Sequence, residues 1–363
     1  MLLRQLVNKS FKYFPRVRSI TTVSVNGFDE NIYQQIDYPL LKCQDILKND
    51  KISILGYGPQ GRGQALNLRD NNFDVCIGLR ENGTSWKTAV EDGWIPGKSL
   101  LSIEDAAKTG SIVQYLLSDA GQIEQWDVIK PHMKNKMLYF SHGFGVVFNE
   151  KTNIIPDKST DVVLVAPKGS GLSVRQHFTK GKGINSSVAI HQDYSGKAKD
   201  RTMALAFGIG SGHVFETTFE NEVFSDLTGE RCVLMGLIQG AFLAQYEVLR
   251  KNGHSPSESY NETVEEALES LYPLISEKGM DWLYSNCSTT AQRGALDWAP
   301  KFKKVIEPVI EDCYKSVRNG SEASIVIKNN KKTNYRDGLN KELQKVKNHE
   351  LWRIAEQLRN LRK

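Results

Sequence analysis

"KISILGYGPQGRGQALNLRDNN", residues 51–72, reads as a short buried strand, a glycine-rich turn and a helix. Gly56, Gly58 and Gly61 fall in the G-x-G-x-x-G pattern. The first glycine permits the tight turn, the second lets a pyrophosphate approach the backbone, and the third lets helix and strand pack closely. The pyrophosphate would then lie on the helix N-terminus. Working outward, "FDVCIGLR" (73–80), "SIVQYLL" (111–117), "KMLYFSHG" (136–143) and "DVVLVAPKG" (161–169) read as further strands, with helical patterns between several of them. Such alternation predicts a parallel, doubly wound sheet of Rossmann type.

Past about residue 216 the strand patterns stop. "RCVLMGLIQGAFLAQYEVLRKNG" predicts a long helix ending at Asn252-Gly253, and "SPSESYNETVEEALESLYPLISEKG" another ending at Gly279. The expected organisation is an α/β dinucleotide domain over 29–216 and an all-helical domain over 217–363. The apolar run 232–244 is short of the roughly 20 residues that span a bilayer, so a soluble protein is expected.

The net charge of +5 conceals an uneven distribution. Residues 1–28 carry +5 and residues 301–363 carry +8, which leaves −8 on the motif-bearing stretch 29–300. An acidic middle suits cations better than nucleic-acid phosphates. Residues 1–28 contain no acid, five basic residues and hydroxylated "RVRSITTVSV", the composition of a mitochondrial targeting segment. The five cysteines show no CxxC spacing, so neither a zinc site nor a disulfide framework is expected. A reducing, matrix-type compartment fits.

The end of the second strand bears on the cofactor. An NAD site usually has an acid there for the ribose 2′-OH, whereas "GLRENGTSW" places Arg80 there, followed by Glu81. A guanidinium pairs with a 2′-phosphate, and Ser85 adds a hydroxyl donor, so NADPH is favoured. Two carboxylate pairs stand out in the helical region. Asp226 and Glu230 are four apart at the start of an apolar helix, and Glu262 and Glu266 are four apart in "NETVEEAL". Each pair shares one helix face, and two such pairs could hold hard divalent cations such as Mg²⁺. Spacing alone also allows acids placed to suit a helix dipole or a solvated acidic face. His142 in "YFSHGFG" and Lys168 in "VAPKGSG" follow strands at the end of the fold where ligands bind.

Assembled, these residues strongly resemble the ketol-acid reductoisomerase family, in its fungal mitochondrial short form. The matching segments are "ILGYGPQGRGQALNLRD", "SWKTAVEDGW", "LLSDAGQ", "YFSHGFG", "VAPKGSG", "GINSS", "SDLTGER", "GHSPSESYNETVEEALESLYPLI" and "CSTTAQRGALDW", spread from about residue 50 to 300. "AIHQD" (189–193) and the variation at "PQGRG" depart from the pattern without touching a proposed ligand.

The resemblance implies an enzyme of valine and isoleucine biosynthesis in the mitochondrial matrix, using NADPH and two Mg²⁺. In the family an alkyl group migrates in 2-acetolactate or 2-aceto-2-hydroxybutanoate, and the 2-oxo acid formed is reduced to the 2,3-dihydroxy acid. By position it assigns Asp226 as a carboxylate bridging two ions, Glu230 as a ligand of one with a catalytic role, and Glu262 and Glu266 as ligands of the other. Ser288 would bind substrate, and His142 and Lys168 would be catalytic. Around the cofactor it places Gly56, Tyr57, Gly58, Gln60, Gly61, Arg80, Ser85, Leu117, Ser118, Asp119 and Gly171. It further implies a knotted helical domain and a homodimer with shared sites, in which Glu262, Glu266 and Ser288 act in the partner's site, with assemblies as large as dodecamers. No membrane or nucleic-acid partner is expected. The competing readings are a metal-independent 3-hydroxyacid dehydrogenase and a nucleic-acid-packaging protein using Lys301, Lys303, Lys304, Lys331 and Lys332.

Overall fold

The computed structural model describes residues 22–361, which divide into two compact units between Val223 and Phe224. The first carries a ten-stranded sheet. Its strands are β1 (Thr22–Val25), β2 (Phe28–Gln34), β3 (Ile52–Leu55), β4 (Val75–Gly78), β5 (Leu100–Leu101), β6 (Ile112–Tyr115), β7 (Met137–Phe140), β8 (Asp161–Pro167), β9 (Ile184–Gln192) and β10 (Ser211–Glu216). Their spatial order is β1-β2-β10-β9-β8-β7-β6-β3-β4-β5.

From β5 to β8 every neighbouring pair is parallel, as the alternation of apolar runs and helical patterns predicts. β9 then runs antiparallel to β8, β10 parallel to β9, and β2 antiparallel to β10, so the sheet as a whole is mixed. The segment expected to be a targeting sequence lies outside the described residues up to position 21. Its remainder enters the β1–β2 hairpin, where Thr22 pairs with Asn31.

The sheet is buried on both faces, and the two-residue period of a strand sorts its side chains. Ile52, Ile54, Ile77, Ile112, Met137, Tyr139, Val163 and Val165 join one core. Leu55, Val113, Tyr115, Leu138, Phe140, Val162 and Leu164 join the other. This double burial explains the near-continuous apolar runs that mark a parallel sheet. At the amino ends of β3 and β8 a largely buried charge cluster forms: Arg201 pairs with Asp50 at 2.7 Å and Asp161 at 3.3 Å.

Beyond β10 no described residue lies in a strand. The second unit is helical, with a small core of Phe242, Tyr246, Tyr260, Val264, Leu351 and Ala355. Residues 261–271 are held by wide i→i+5 turns, a form often found at functional sites. Much of its apolar surface is uncovered: Val233, Leu234, Met235, Trp298, Phe302, Val305 and Val309 are all exposed. The helical run Phe219–Lys251 is long and apolar enough to cross a membrane by length and composition. The expectation from 232–244 alone therefore understated it, because the apolar character continues to Leu249.

Candidate active site

The cofactor turn follows β3. Gly56 has φ +105°, and a Cβ on it would lie 2.6 Å from the Leu116 carbonyl oxygen. A Cβ on Gly61 would lie 2.2 Å from the Gly56 oxygen, the close helix–strand approach expected of the third glycine. At Gly58 the added atom would meet nothing within 4 Å, so this backbone faces open space. The helix Pro59–Asp70 begins there with Pro59 in its first turn and no side-chain cap. Its uncapped N–H groups and dipole suit a pyrophosphate, and the turn fits a dinucleotide.

Around this turn the other predicted residues take distinct places. Tyr57 is buried, and its hydroxyl donates to Asp92 Oδ2 at 2.8 Å while accepting from Trp94 Nε1 at 2.7 Å. Its hydroxyl is therefore held by the fold. Arg62 grips the same Asp92 through two bonds of 2.7 and 2.8 Å. Those bonds hold the Asp92 carboxyl below its ordinary value, against burial, which pushes it up. Gly171 packs on the turn itself, where a Cβ would come within 2.0 Å of Pro59. Gln60 Nε2 donates to the Gly169 carbonyl at 2.9 Å. Leu117, Ser118 and Asp119 follow β6, and Ser118 Oγ caps the helix Asp119–Ile129 by accepting from Gly121 N. Arg80 and Ser85 are both exposed beyond β4, and Arg80 Nη1 lies 3.6 Å from Glu124 Oε1.

His142 and Lys168 stand just past the carboxyl ends of neighbouring strands β7 and β8. Between them lies Glu222, whose side chain is 1% exposed. Its Oε2 is 3.3 Å from His142 Nδ1 and its Oε1 is 3.1 Å from Lys168 Nζ. Burial pushes the Glu222 carboxyl up, but hydrogen bonding and charge from His142 and Lys168 outweigh it. The net position is below the ordinary carboxylate value. Sequence reasoning missed Glu222. The signal was present, since Glu222, Asp226 and Glu230 form one stripe at four-residue spacing along the helix Phe219–Arg231.

Asp226 and Glu230 are half-buried on that helix. Arg231, 4.0 Å from Glu230, is committed to Glu322 at 2.9 Å and to the Leu227 carbonyl. Glu262 and Glu266 are exposed in the wide-turned segment, while Glu265 between them takes the Tyr260 hydroxyl at 2.9 Å. Ser288 is exposed and caps the helix Thr289–Arg318, its oxygen accepting from Ala291 N at 3.2 Å. That bond leaves the hydroxyl proton available to a ligand. Carboxylate oxygens are the donor set of a hard divalent cation, so the helical acids fit Mg²⁺ in kind. Among the described residues no compact cluster of His, Cys, Asp and Glu includes Glu230, Glu262 or Glu266. The two acid pairs are not drawn together into one cluster within a single chain.

Comparison with known proteins covers both units. Residues 46–214 match the family described as acetohydroxy acid isomeroreductase, NADPH-binding domain, and residues 219–363 match ketol-acid reductoisomerase, C-terminal domain. The mitochondrial ketol-acid reductoisomerase of Saccharomyces cerevisiae is 55% identical, covering 95% of this chain and 88% of that protein. A ketol-acid reductoisomerase (NAD(+)) of Desulfosudis oleivorans is 54% identical, covering 94% of this chain and 97% of that one. An NADH-preferring ketol-acid reductoisomerase from an uncultured archaean superposes with a TM-score of 0.81 at 31% identity, covering 91% of this chain and 98% of that one.

Proposed function

The chain belongs to the ketol-acid reductoisomerase family, and from that premise we propose an NADPH- and Mg²⁺-dependent enzyme of valine and isoleucine biosynthesis. It would convert 2-acetolactate or 2-aceto-2-hydroxybutanoate, by alkyl migration and reduction, to the 2,3-dihydroxy acid. The observation that carries this reading is Glu222, buried between His142 and Lys168 at the strand ends and one helical turn before Asp226.

Two bound Mg²⁺ ions would supply Lewis acidity for the migration, and NADPH the hydride. Asp226 and Glu230 would hold the ions from one chain, and Glu262 and Glu266 from its partner. Lys168 Nζ is held 3.1 Å from Glu222 Oε1, which would orient it to donate a proton as the carbonyl oxygen of the 2-oxo acid gains charge. His142 Nδ1 faces Glu222, which fixes the ring, and Phe144 stacks on it at 6.3 Å. Ser288 would donate its free hydroxyl proton to the substrate carboxylate.

A homodimer is supported by the uncovered apolar residues of the helical unit, whose small core suits a domain completed by a second copy. The same exposure accounts for the membrane-like helical run without lipid, since that run opens with Glu222 anchored to His142 and Lys168. Larger assemblies and a knotted helical domain remain part of the proposal by family resemblance. The fungal relatives named mitochondrial and the acid-free residues 1–28 support a mitochondrial, matrix location. The proposed domain limits are 1–28, 29–216 and 217–363. Of the lysines offered for nucleic acid, Lys303 pairs with Glu307 at 3.7 Å and Lys301 covers Trp298 at 3.9 Å, which argues for a solvated face.

NADH is the second cofactor reading. Arg80 is flanked in sequence by Glu81 and in space by Glu124, so two acids oppose a 2′-phosphate at this place. A 54% identical relative carries NAD(+) in its name. The deciding assay follows NADPH and NADH oxidation with 2-acetolactate, in Mg²⁺ and then in excess EDTA. Metal-dependent turnover is expected, faster with NADPH. Folded protein that binds the cofactor and turns nothing over in Mg²⁺ would overturn the reading.

A further inference from the structure

One fully buried side chain, Gln64, is used by none of the roles above. A buried primary amide has two N–H donors and one acceptor oxygen to satisfy. Gln64 Nε2 donates to Ser141 Oγ at 2.8 Å and to Gln60 Oε1 at 3.1 Å. Its Oε1 accepts from the Tyr139 hydroxyl at 2.8 Å. Tyr139 is itself fully buried, and burial raises its phenol, so it stays a neutral donor. Gln60 continues the chain to the Gly169 carbonyl.

These bonds join the start of the helix Pro59–Asp70 to the chain around His142 and Lys168. Gln60 belongs to the cofactor turn, Ser141 immediately precedes His142, and Gly169 immediately follows Lys168. An apolar residue could fill the volume at position 64, but it would cut the cofactor turn's hydrogen-bonded link to Tyr139 and Ser141 and free Gln60 Oε1, leaving the Gln60–Gly169 bond to hold that end alone. A fully satisfied buried network fixes geometry in a way that packing alone does not.

We infer that Gln64 is a positioning residue for hydride transfer, tying the cofactor turn to the loops that carry His142 and Lys168. This rests on the proposed reading that the turn holds the nicotinamide cofactor. Hydride transfer is sensitive to misplacement, with about 1 Å costing on the order of 100-fold. On that reading the alkyl migration is assigned to the helical acids, none of which makes a bond in this network. Loss of Gln64 therefore separates the two steps.

The test uses the full chain with Gln64→Leu, which removes all three bonds at similar volume. Ser141→Ala and Tyr139→Phe each remove one of Gln64's bonds, the latter with a longer one to the Val165 carbonyl at 3.4 Å, and serve if the first fails to fold. In ligand-free protein, hydrogen exchange at residues 58–62, 141–143 and 169–171 should accelerate together by about 10-fold, with β3 and β6 unchanged. In single turnover with Mg²⁺, reduction of the migrated 2-oxo acid by NADPH should slow by about 30- to 100-fold, or about 3- to 10-fold for the single-bond variants. The migration itself should stay within about threefold. Equal losses in both steps, or exchange that accelerates throughout the sheet, would reduce Gln64 to a structural residue and overturn the inference. A wild-type chain that reduces no 2-oxo acid would sink the functional reading together with this inference. Normal wild-type reduction with unchanged variants would sink this inference alone.

Discussion

Lys168 Nζ lies 3.1 Å from Glu222 Oε1, a carboxylate with almost no exposure to solvent. A buried carboxylate is costly unless its charge is compensated, and here the compensation comes from the two groups expected to work on the substrate. Glu222→Gln keeps the shape and removes the charge. It should lower kcat by about 100-fold or more, as loss of a preorganised electrostatic group does. NADPH affinity should change by less than about threefold, because the cofactor turn does not touch Glu222. Steady-state kinetics with fluorescence titration of NADPH would check both, and an unchanged kcat would remove Glu222 from the mechanism.

Gly56 offers a purely steric prediction. Gly56→Ala places a Cβ 2.6 Å from a carbonyl oxygen at a residue with φ +105°. The backbone conformation alone costs about 1–3 kcal/mol for a residue other than glycine, and the collision displaces the turn. Urea unfolding should show a loss of at least about 2 kcal/mol, with NADPH binding weakened in parallel. A variant as stable as the parent would mean that the turn is looser than the contacts require.

Asp92 gives the pH dependence. Arg62 holds its carboxyl below the ordinary value, so the folded pKa lies under the unfolded one. Its contribution is then fully present above the unfolded value of about 3.9 and is lost as pH falls through the folded value. Arg62 is half exposed, which limits the contribution to about 1 kcal/mol. Asp92→Asn should therefore lower the urea midpoint at pH 7 and flatten its fall between about pH 5 and pH 3. Parallel curves for parent and variant would show that the pair contributes nothing.

The cofactor reading turns on Arg80 and Glu124. Arg80→Gln should cut kcat/KM for NADPH by about 10- to 100-fold, the worth of a charged phosphate contact, and leave NADH nearly unchanged. Glu124→Gln should raise the NADPH-to-NADH ratio by about threefold, since the screened repulsion it removes is small. If both substitutions leave the ratio unmoved, the 2′-phosphate is read elsewhere.

The legible parts of this fold were those with a strong period or a steric demand. β3, β4, β6, β7 and β8 are buried on both faces, so each appears as an apolar run. β9 and β10 were not legible as strands because their partners, not their composition, make them so. β9 buries Ser186 and Ser187, with Ser186 Oγ bonded to Ser211 Oγ of β10 at 2.7 Å. The glycines of the cofactor turn could be assigned one by one, because each answers a distance. Glu222 stands out only once the fold brings His142 and Lys168, 80 and 54 residues earlier in the chain, against its carboxylate. Gln64 gave no signal at all, since a buried amide in a helix is meaningful only once its partners are known, and two of the three, Tyr139 and Ser141, are more than 70 residues away in sequence.

The last prediction concerns which chain supplies which acid. If Asp226 and Glu230 act with Glu262 and Glu266 of a partner, Asp226→Asn and Glu262→Gln should each abolish metal-dependent turnover alone. Co-expressed with different tags, the two variants would pair at random. In a mixed dimer one site collects both lesions, while the other has an intact Asp226 from one chain and an intact Glu262 from its partner. Half of random dimers are mixed, so activity should return to about a quarter of the parent's. Zero recovery from purified mixed dimers would place all four acids of a site in one chain and refute the shared-site reading.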